Sequence, residues 1–120
     1  MSDMRLGAVE SRFAEIIWNN APLPSGELVK RAEAELGWKK STTYTVLKKL
    51  CDRGFAENRE SIVTALVPQA QVQAFESQRV VDRTFAGSLP KFLVSFLEER
   101  KLTQEEAQEL LALIESHKEG

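Results

Sequence analysis

The chain has 120 residues and a formal net charge of −2, and its 42% of hydrophobic and 28% of charged residues indicate a folded globular protein. No apolar run approaches the ~20 residues of a membrane-spanning helix, and the N-terminus lacks the apolar core of a signal peptide, so we expect a cytoplasmic protein. A lone cysteine, Cys51, excludes an internal disulfide and a cysteine-rich metal site.

The first helix is predicted over residues 8–19. Four apolar residues recur there at the spacing of one helical face, namely Val9, Phe13, Ile16 and Ile17. Two prolines then follow at positions 22 and 24 and end the helix, because proline cannot continue one.

Two further helices follow after short connections. Ser25 is a suitable N-cap for a helix over residues 26–36, and Gly37 lies where a C-terminal glycine is favoured. The buried stripe of this helix is predicted to comprise Leu28, Val29, Ala32 and Leu36. The third helix begins at Lys40 or Ser41 and runs to about Arg53, where Gly54 stops it.

Two short strands are predicted next, over residues 55–59 and 62–67. The second strand is rich in β-branched residues and is closed by Pro68. Glu60 and Ser61 form the connecting turn, which lacks the glycine that a tight hairpin favours.

The rest of the chain is predicted to form three amphipathic helices. The first covers residues 70–85, carries Val72, Phe75 and Val80, and ends at Ala86-Gly87-Ser88. The second has apolar residues at helical spacing, namely Leu89, Phe92, Leu93, Phe96 and Leu97. The third begins at the capping box of Thr103 and Glu106 and has an apolar face of Leu110, Leu111 and Ile114.

This order of elements predicts a mainly α protein with a small β-hairpin. Residues 1–68 are predicted to form a winged helix-turn-helix domain, and residues 69–120 a C-terminal three-helix dimerisation arm. A piece of about fifty residues cannot bury so much apolar surface alone, so we expect two arms to pair in a homodimer. The predicted dimer contacts are Phe75, Leu89, Phe92, Leu93, Phe96, Leu97, Leu110, Leu111 and Ile114.

The third helix has two different faces when its residues are placed at helical spacing. Thr43, Val46, Leu47 and Leu50 share the core side, whereas hydroxyl and cationic side chains share the other. Hydroxyl groups near a helix N-terminus can read base edges, and lysines further along can hold phosphates. The predicted DNA-binding residues are Lys39, Lys40, Ser41, Thr42, Tyr44, Thr45, Lys48, Lys49 and Arg59.

The charge distribution agrees with this interpretation. Residues 38–59 hold 6 basic against 2 acidic residues, whereas residues 69–120 hold 6 against 9. A local surplus of positive charge is a candidate phosphate-facing patch, although an ordinary solvated face would have the same composition. The alternative function is a winged-helix protein-interaction module that does not bind DNA, which would favour apolar or acidic residues on the exposed face.

An enzyme is not predicted, and neither is a cofactor or a metal. The single histidine, His117, lies near the C-terminal end of the last helix, where its imidazole can interact favourably with the helix dipole. The sequence has no glycine-rich phosphate loop and no set of residues at metal-ligand spacing. Cys51 is interpreted as a small packed hydrophobic residue rather than a nucleophile.

Several segments resemble one known family. They are Glu15 to Trp18, Trp38, Ser41 to Leu50, Arg53-Gly54, Gly87 to Leu89, Phe96 to Glu99, Leu102 to Glu106 and Leu110 to Lys118. The chain resembles the penicillinase and methicillin-resistance repressors (the BlaI, MecI and CopY group) over nearly its whole length. The resemblance implies a bacterial transcriptional repressor that binds a palindromic promoter operator with TACA and TGTA half-sites, and base contacts from Thr42 and Thr45.

The same resemblance implies how repression would be relieved by an external signal. In the antibiotic-responsive branch, a membrane-bound sensor protease leads to cleavage within the arm, and the matching bond is Ser95–Phe96. Serine stands here where the family has asparagine before the bond. The alternative is that this segment is only core and that induction is by a small ligand or by none. The copper-responsive branch carries paired cysteines near its C-terminus, and this chain has none there, so copper sensing is not implied.

Overall fold

A computed structural model describes residues 3–119. The described residues form six helices and a three-stranded antiparallel sheet, which confirms the predicted fold class. The elements are α1 (Ala8–Asn20), β1 (Leu23–Pro24), α2 (Ser25–Leu36), α3 (Lys40–Asp52), β2 (Ala56–Arg59), β3 (Ile62–Ala65), α4 (Gln69–Phe85), α5 (Leu89–Leu97) and α6 (Gln104–His117).

The chain divides into two compact units, Met1–Ser77 and Gln78–Gly120. The predicted boundary after residue 68 stays a prediction. Val72 of α4 is only 5% exposed and packs with the core of the first unit, so the first turns of this helix complete the N-terminal core.

The core of the first unit is built from every element between α1 and β3. Its largest fully buried side chains include Phe13, Leu23, Leu28, Leu50 and Val63. Burying a side chain of this size contributes about 1.5–3 kcal/mol, so these contacts dominate the stability of the unit. The rings of Phe13 and Trp38 lie 5.1 Å apart, and the indole Nε1 of Trp18 donates a hydrogen bond to the Val67 carbonyl at 2.9 Å.

The sheet has one strand more than the predicted hairpin. β3 lies between β1 and β2. Its residue Val63 lies opposite Leu23 of β1 on one side and opposite Asn58 of β2 on the other. β1 has only two residues and ends at Pro24, which is tolerated because an edge strand needs no further donor there. The second predicted strand is shorter than expected and ends at Ala65.

One expectation for the first helices is wrong. Ser25 is not the N-cap of α2 but its first residue, because its amide bonds to the Ser61 carbonyl at 2.8 Å and Pro24 takes the cap position. Val9 shares a helical face with Phe13 but lies in the first turn of α1 and is 57% exposed. The C-terminal glycine is confirmed, because Gly37 has a φ of 71° and its amide bonds to the Glu33 carbonyl.

The second unit contains α5 and α6, and it has a different character. Between residues 78 and 119 no hydrophobic side chain is fully buried. Aromatic contacts join the end of α4 to α5, because the ring of Phe92 lies 5.5 Å from that of Phe85. Within α5, the rings of Phe92 and Phe96 lie 5.8 Å apart. The predicted capping box is present at the start of α6, where the Glu106 amide donates to the Thr103 hydroxyl and the Thr103 amide to the Glu106 carboxylate.

Candidate nucleic-acid interface

The two faces predicted for α3 are present in the structure. Thr43, Leu47 and Leu50 are 0%, 2% and 1% exposed and pack into the core of the first unit. The outward face of α3, as we call it below, consists of exposed side chains, namely Ser41, Thr42, Thr45, Lys48 and Lys49. The helix is therefore anchored on one side and offers hydroxyl groups and ammonium groups on the other.

The hydroxyl groups of the outward face differ in what they can offer a base. The Thr45 hydroxyl donates to the Ser41 carbonyl at 2.9 Å, so its oxygen remains an acceptor and its methyl group remains exposed. The side chains of Ser41 and Thr42 make no hydrogen bond within residues 3–119, so each can still donate and accept. This set suits base edges and thymine methyl groups in a major groove.

Cations surround these hydroxyl groups on both sides. Lys39 is the N-cap residue of α3 and Lys40 its first residue, whereas Lys48 and Lys49 lie in its second half. Arg59, on β2, is exposed and pairs with Glu57 at 3.5 Å. The N-terminus of α3 carries no acidic residue in its first turn, so its unpaired amides are open to an anion.

Tyr44 lies at the edge of this surface but is half-buried. Its hydroxyl donates to the Ser25 Oγ at 3.2 Å, which joins α3 to the first residue of α2. The predicted contact of Tyr44 with DNA stays a prediction, and the structure adds a role in holding the two helices together. Sequence reasoning missed this pairing, because it assigned Ser25 to a helix cap.

Sequence reasoning also missed a network at the end of α3. The Arg53 guanidinium donates to the carbonyls of Asp3 and Arg5, lies 3.8 Å from the Glu10 carboxylate and stacks over the Phe55 ring at 4.9 Å. It thereby fastens the segment before α1 to the end of α3. Hydrogen bonds from the neighbouring Arg5 side chain hold the pKa of the Asp3 carboxyl well below its ordinary value.

The wing, which is the hairpin of β2 and β3, has a tight turn without glycine. Glu60 and Ser61 connect β2 to β3 with φ angles of 51° and 65°, the left-handed region at both turn positions. This geometry matches the twist of the strands but costs each non-glycine residue about 1–2 kcal/mol. The predicted turn is confirmed, and its two residues are exposed, so the tip of the wing carries the carboxylate of Glu60.

Cys51 lies in a cleft of about 550 Å³ between α3 and β2. Burial raises the pKa of its thiol, which keeps the group protonated and a poor nucleophile. Within residues 3–119 no group of histidine, cysteine and carboxylate residues could hold a metal ion.

The residues predicted to pair two arms fall into two classes of burial. Phe75, Phe92 and Leu93 are half-buried. The others are exposed, from 37% for Leu97 and Leu110 to 67% for Leu111, with Leu89, Phe96 and Ile114 between them. An apolar groove of about 590 Å³ runs between α5 and α6 and is lined by several of these side chains.

The fold and the outward face of α3 define a winged-helix protein of the DNA-binding class. The model of the penicillinase repressor family matches residues 6–116, so the chain belongs to this family of transcriptional regulators and is not an enzyme. It is 25% identical to the penicillinase repressor of Bacillus licheniformis over 118 residues, which cover 95% of this chain and 92% of that protein. It is 20% identical to the methicillin resistance regulatory protein MecI of Staphylococcus aureus over 109 residues, or 88% and 89% of the two chains.

These comparisons confirm the resemblance and extend across both units. Over the part of the chain that the structure describes, no helix has the length and hydropathy needed to cross a bilayer.

Proposed function

We propose that the chain is a homodimeric repressor that binds a palindromic promoter operator through α3. The observation that carries the proposal is the division of α3 into a buried face and an outward face of hydroxyl and ammonium groups. Half-sites similar to TACA and TGTA are the expected sequences, since the chain belongs to the penicillinase repressor family.

In this proposal Thr42 and Thr45 contact bases, and Ser41 assists them from the first turn of α3. Lys39, Lys48 and Lys49, together with Lys40 at the start of α3, are the cations proposed to face phosphates and to fix the position of the helix in the groove. Base contacts give discrimination between sequences, whereas phosphate contacts give affinity that falls with salt. The two sets are therefore separable by experiment.

The outward face of α3 also bears on the alternative, a protein-docking module. A docking surface would favour exposed apolar or acidic side chains. The exposed residues of α3 include no aliphatic or aromatic side chain, three of them carry hydroxyl groups, and the one acidic residue among them, Asp52, is paired with Lys48. This composition favours DNA over a protein partner.

The test compares Thr45→Ala with Thr84→Ala, which removes an exposed threonine of α4 in the second unit. Affinity is measured by fluorescence anisotropy for a duplex from the promoter of the chain's own gene and for a random duplex. Thr45→Ala should lose about 1 kcal/mol of discrimination and bind random DNA as before. If Thr45→Ala discriminates as well as the parent and the Thr84→Ala control, base reading by α3 is contradicted.

The exposed apolar surface of the second unit supports dimerisation through the arm. Side chains such as Phe96, Leu111 and Ile114 are about half exposed or more in the single chain. Contiguous apolar surface of this kind marks an interaction site in soluble proteins. A second arm would cover it and place two α3 helices about one DNA turn, roughly 34 Å, or a multiple apart.

Cleavage of the Ser95–Phe96 bond is the proposed route to derepression. Ser95 is exposed on α5, and Phe96 belongs to the proposed dimer surface, so a cut there would destroy the surface. Losing the link between two half-sites lowers occupancy by orders of magnitude, because each unit then binds alone. Mass spectrometry of the protein from cells treated with a β-lactam should find a fragment ending at Ser95, and intact protein under full derepression would contradict the proposal.

A further inference from the structure

The cations of the proposed DNA surface are not equally available to phosphate. The Lys48 Nζ lies 3.0 Å from the Asp52 carboxylate, one helical turn further along α3. By contrast, among the residues that the structure describes, no carboxylate lies within ion-pair distance of Lys39, Lys40 or Lys49. One lysine of the outward face is therefore already paired with a carboxylate of the same helix.

The Lys48–Asp52 pair contributes little to the stability of the fold. Its side chains are 77% and 65% exposed, so burial does not force them together. An exposed pair four residues apart in a helix stabilises it only slightly. Helical spacing places Asp52 on the same side of α3 as Thr45 and Lys48, which is the side proposed to meet DNA.

A carboxylate in this position opposes binding in two ways. It occupies the ammonium that would otherwise neutralise a phosphate, and its own charge is repelled by the duplex. Counterion release depends on the number of phosphates that cations neutralise, so a lysine held by a carboxylate adds little to the salt dependence of binding. The same arrangement recurs on β2, where Glu57 holds the guanidinium of Arg59.

We propose that Asp52 competes with DNA phosphate for Lys48 and thereby limits the affinity of this surface for DNA of any sequence. Asp52 is thus a positioning residue that acts through Lys48. The inference rests on the proposed DNA-binding function and goes beyond it, because it assigns to an acidic residue the task of weakening sequence-independent binding. Base contacts from Thr42 and Thr45 carry no charge and are unaffected by the competition.

The experiment is a set of salt titrations on the full chain with a labelled random duplex of roughly 30 base pairs, about three helical turns. The variants are Asp52→Asn, Lys48→Gln and the double substitution. The matched control is Glu115→Gln on α6, which removes the carboxylate of another exposed ion pair, the 2.9 Å contact with Lys118 just after the helix. It changes the net charge by the same amount in the other unit.

Asp52→Asn is expected to strengthen binding about three- to tenfold at low salt and to steepen the slope of log affinity against log salt by about 0.9. Lys48→Gln alone should change the slope little, and in the Asp52→Asn background it should remove the gain. Thermal melting of each variant reports whether the fold is intact.

Two results would overturn the inference. If Lys48→Gln alone lowers the slope by about 0.9 and Asp52→Asn behaves like the Glu115→Gln control, Lys48 contacts phosphate in the parent and Asp52 does not compete. If the parent binds no duplex even at low salt, the proposed function itself is wrong and the inference falls with it.

Discussion

The two units of this protein use the same kinds of apolar residue with opposite results. In the N-terminal unit, leucine, isoleucine and phenylalanine side chains pack against one another, and Phe13 and Leu28 are completely inaccessible to solvent. In the C-terminal unit, α5 and α6 have equally regular apolar faces, yet residues such as Phe96 and Leu111 remain 46% and 67% exposed. The first unit completes a core within one chain, whereas the second leaves its apolar faces exposed in the single chain.

The difference teaches where each kind of substitution acts. A buried side chain of the first unit contributes to the free energy of unfolding of one chain, independent of protein concentration. Under the proposed pairing of arms, an exposed apolar side chain of the arm contributes chiefly when two chains meet, so its effect should depend on protein concentration. Truncating the same residue type, phenylalanine, in both units separates the two cases.

The largest effect is expected for Phe13→Ala. Phe13 is 0% exposed and its ring lies 5.1 Å from that of Trp38, so truncation leaves a cavity between α1 and the connection from α2 to α3. We expect a loss of about 3–5 kcal/mol in the free energy of unfolding. Urea unfolding followed by tryptophan fluorescence measures it, at two protein concentrations tenfold apart. A loss below about 1 kcal/mol would contradict the assigned core.

A smaller effect, and one of another kind, is expected for Phe96→Ala. Phe96 contacts Phe92 and lies under the Arg100 guanidinium, but nearly half of it faces solvent. We expect the dissociation constant of the proposed dimer to rise about 10- to 100-fold, since an aromatic residue at the centre of an interface is a typical hot spot.

Sedimentation equilibrium measures this change in association. Glu115→Gln is again a suitable control, because it alters an exposed residue of α6 without removing apolar surface. A dimer that is equally tight in Phe96→Ala and the parent would place the interface elsewhere. If the parent itself is monomeric at micromolar concentration, the proposed pairing of arms is wrong.

The smallest effect is expected at the wing, for Ser61→Gly. Ser61 has a φ of 65°, which glycine adopts without strain, so this substitution should stabilise the first unit by about 0.5–1 kcal/mol. The same exchange at Ser77, inside α4, should instead destabilise by about 0.5 kcal/mol. Thermal unfolding of both variants provides the comparison, and a loss of stability in Ser61→Gly would contradict the turn geometry.

The features that the sequence predicted are those that depend on neighbours along the chain. Helical periodicity within residues 40–52 correctly separated Thr43 and Leu47 from the outward face, because both faces follow from the repeat of one helix. The capping box of Thr103 and Glu106 and the stop at Gly37 were predictable for the same reason.

The features that were missed depend on residues far apart in the chain. β1 forms because Leu23 pairs with Val63, forty residues later in the chain. A leucine between two prolines gives no indication of that partner. The same pairing displaced Ser25 from the cap that its residue type favours. Arg53 contacts the segment before α1, a contact that only the closed fold creates.

The central claim is that two copies of the chain bind one operator, with the first units reading DNA and the arms joining them. Native mass spectrometry of the full chain mixed with a duplex from the promoter of its own gene tests this claim most directly. We predict one dominant species that contains two protein chains and one duplex, and no comparable species with a random duplex of equal length. A complex with a single chain, or equal binding to both duplexes, would contradict the account.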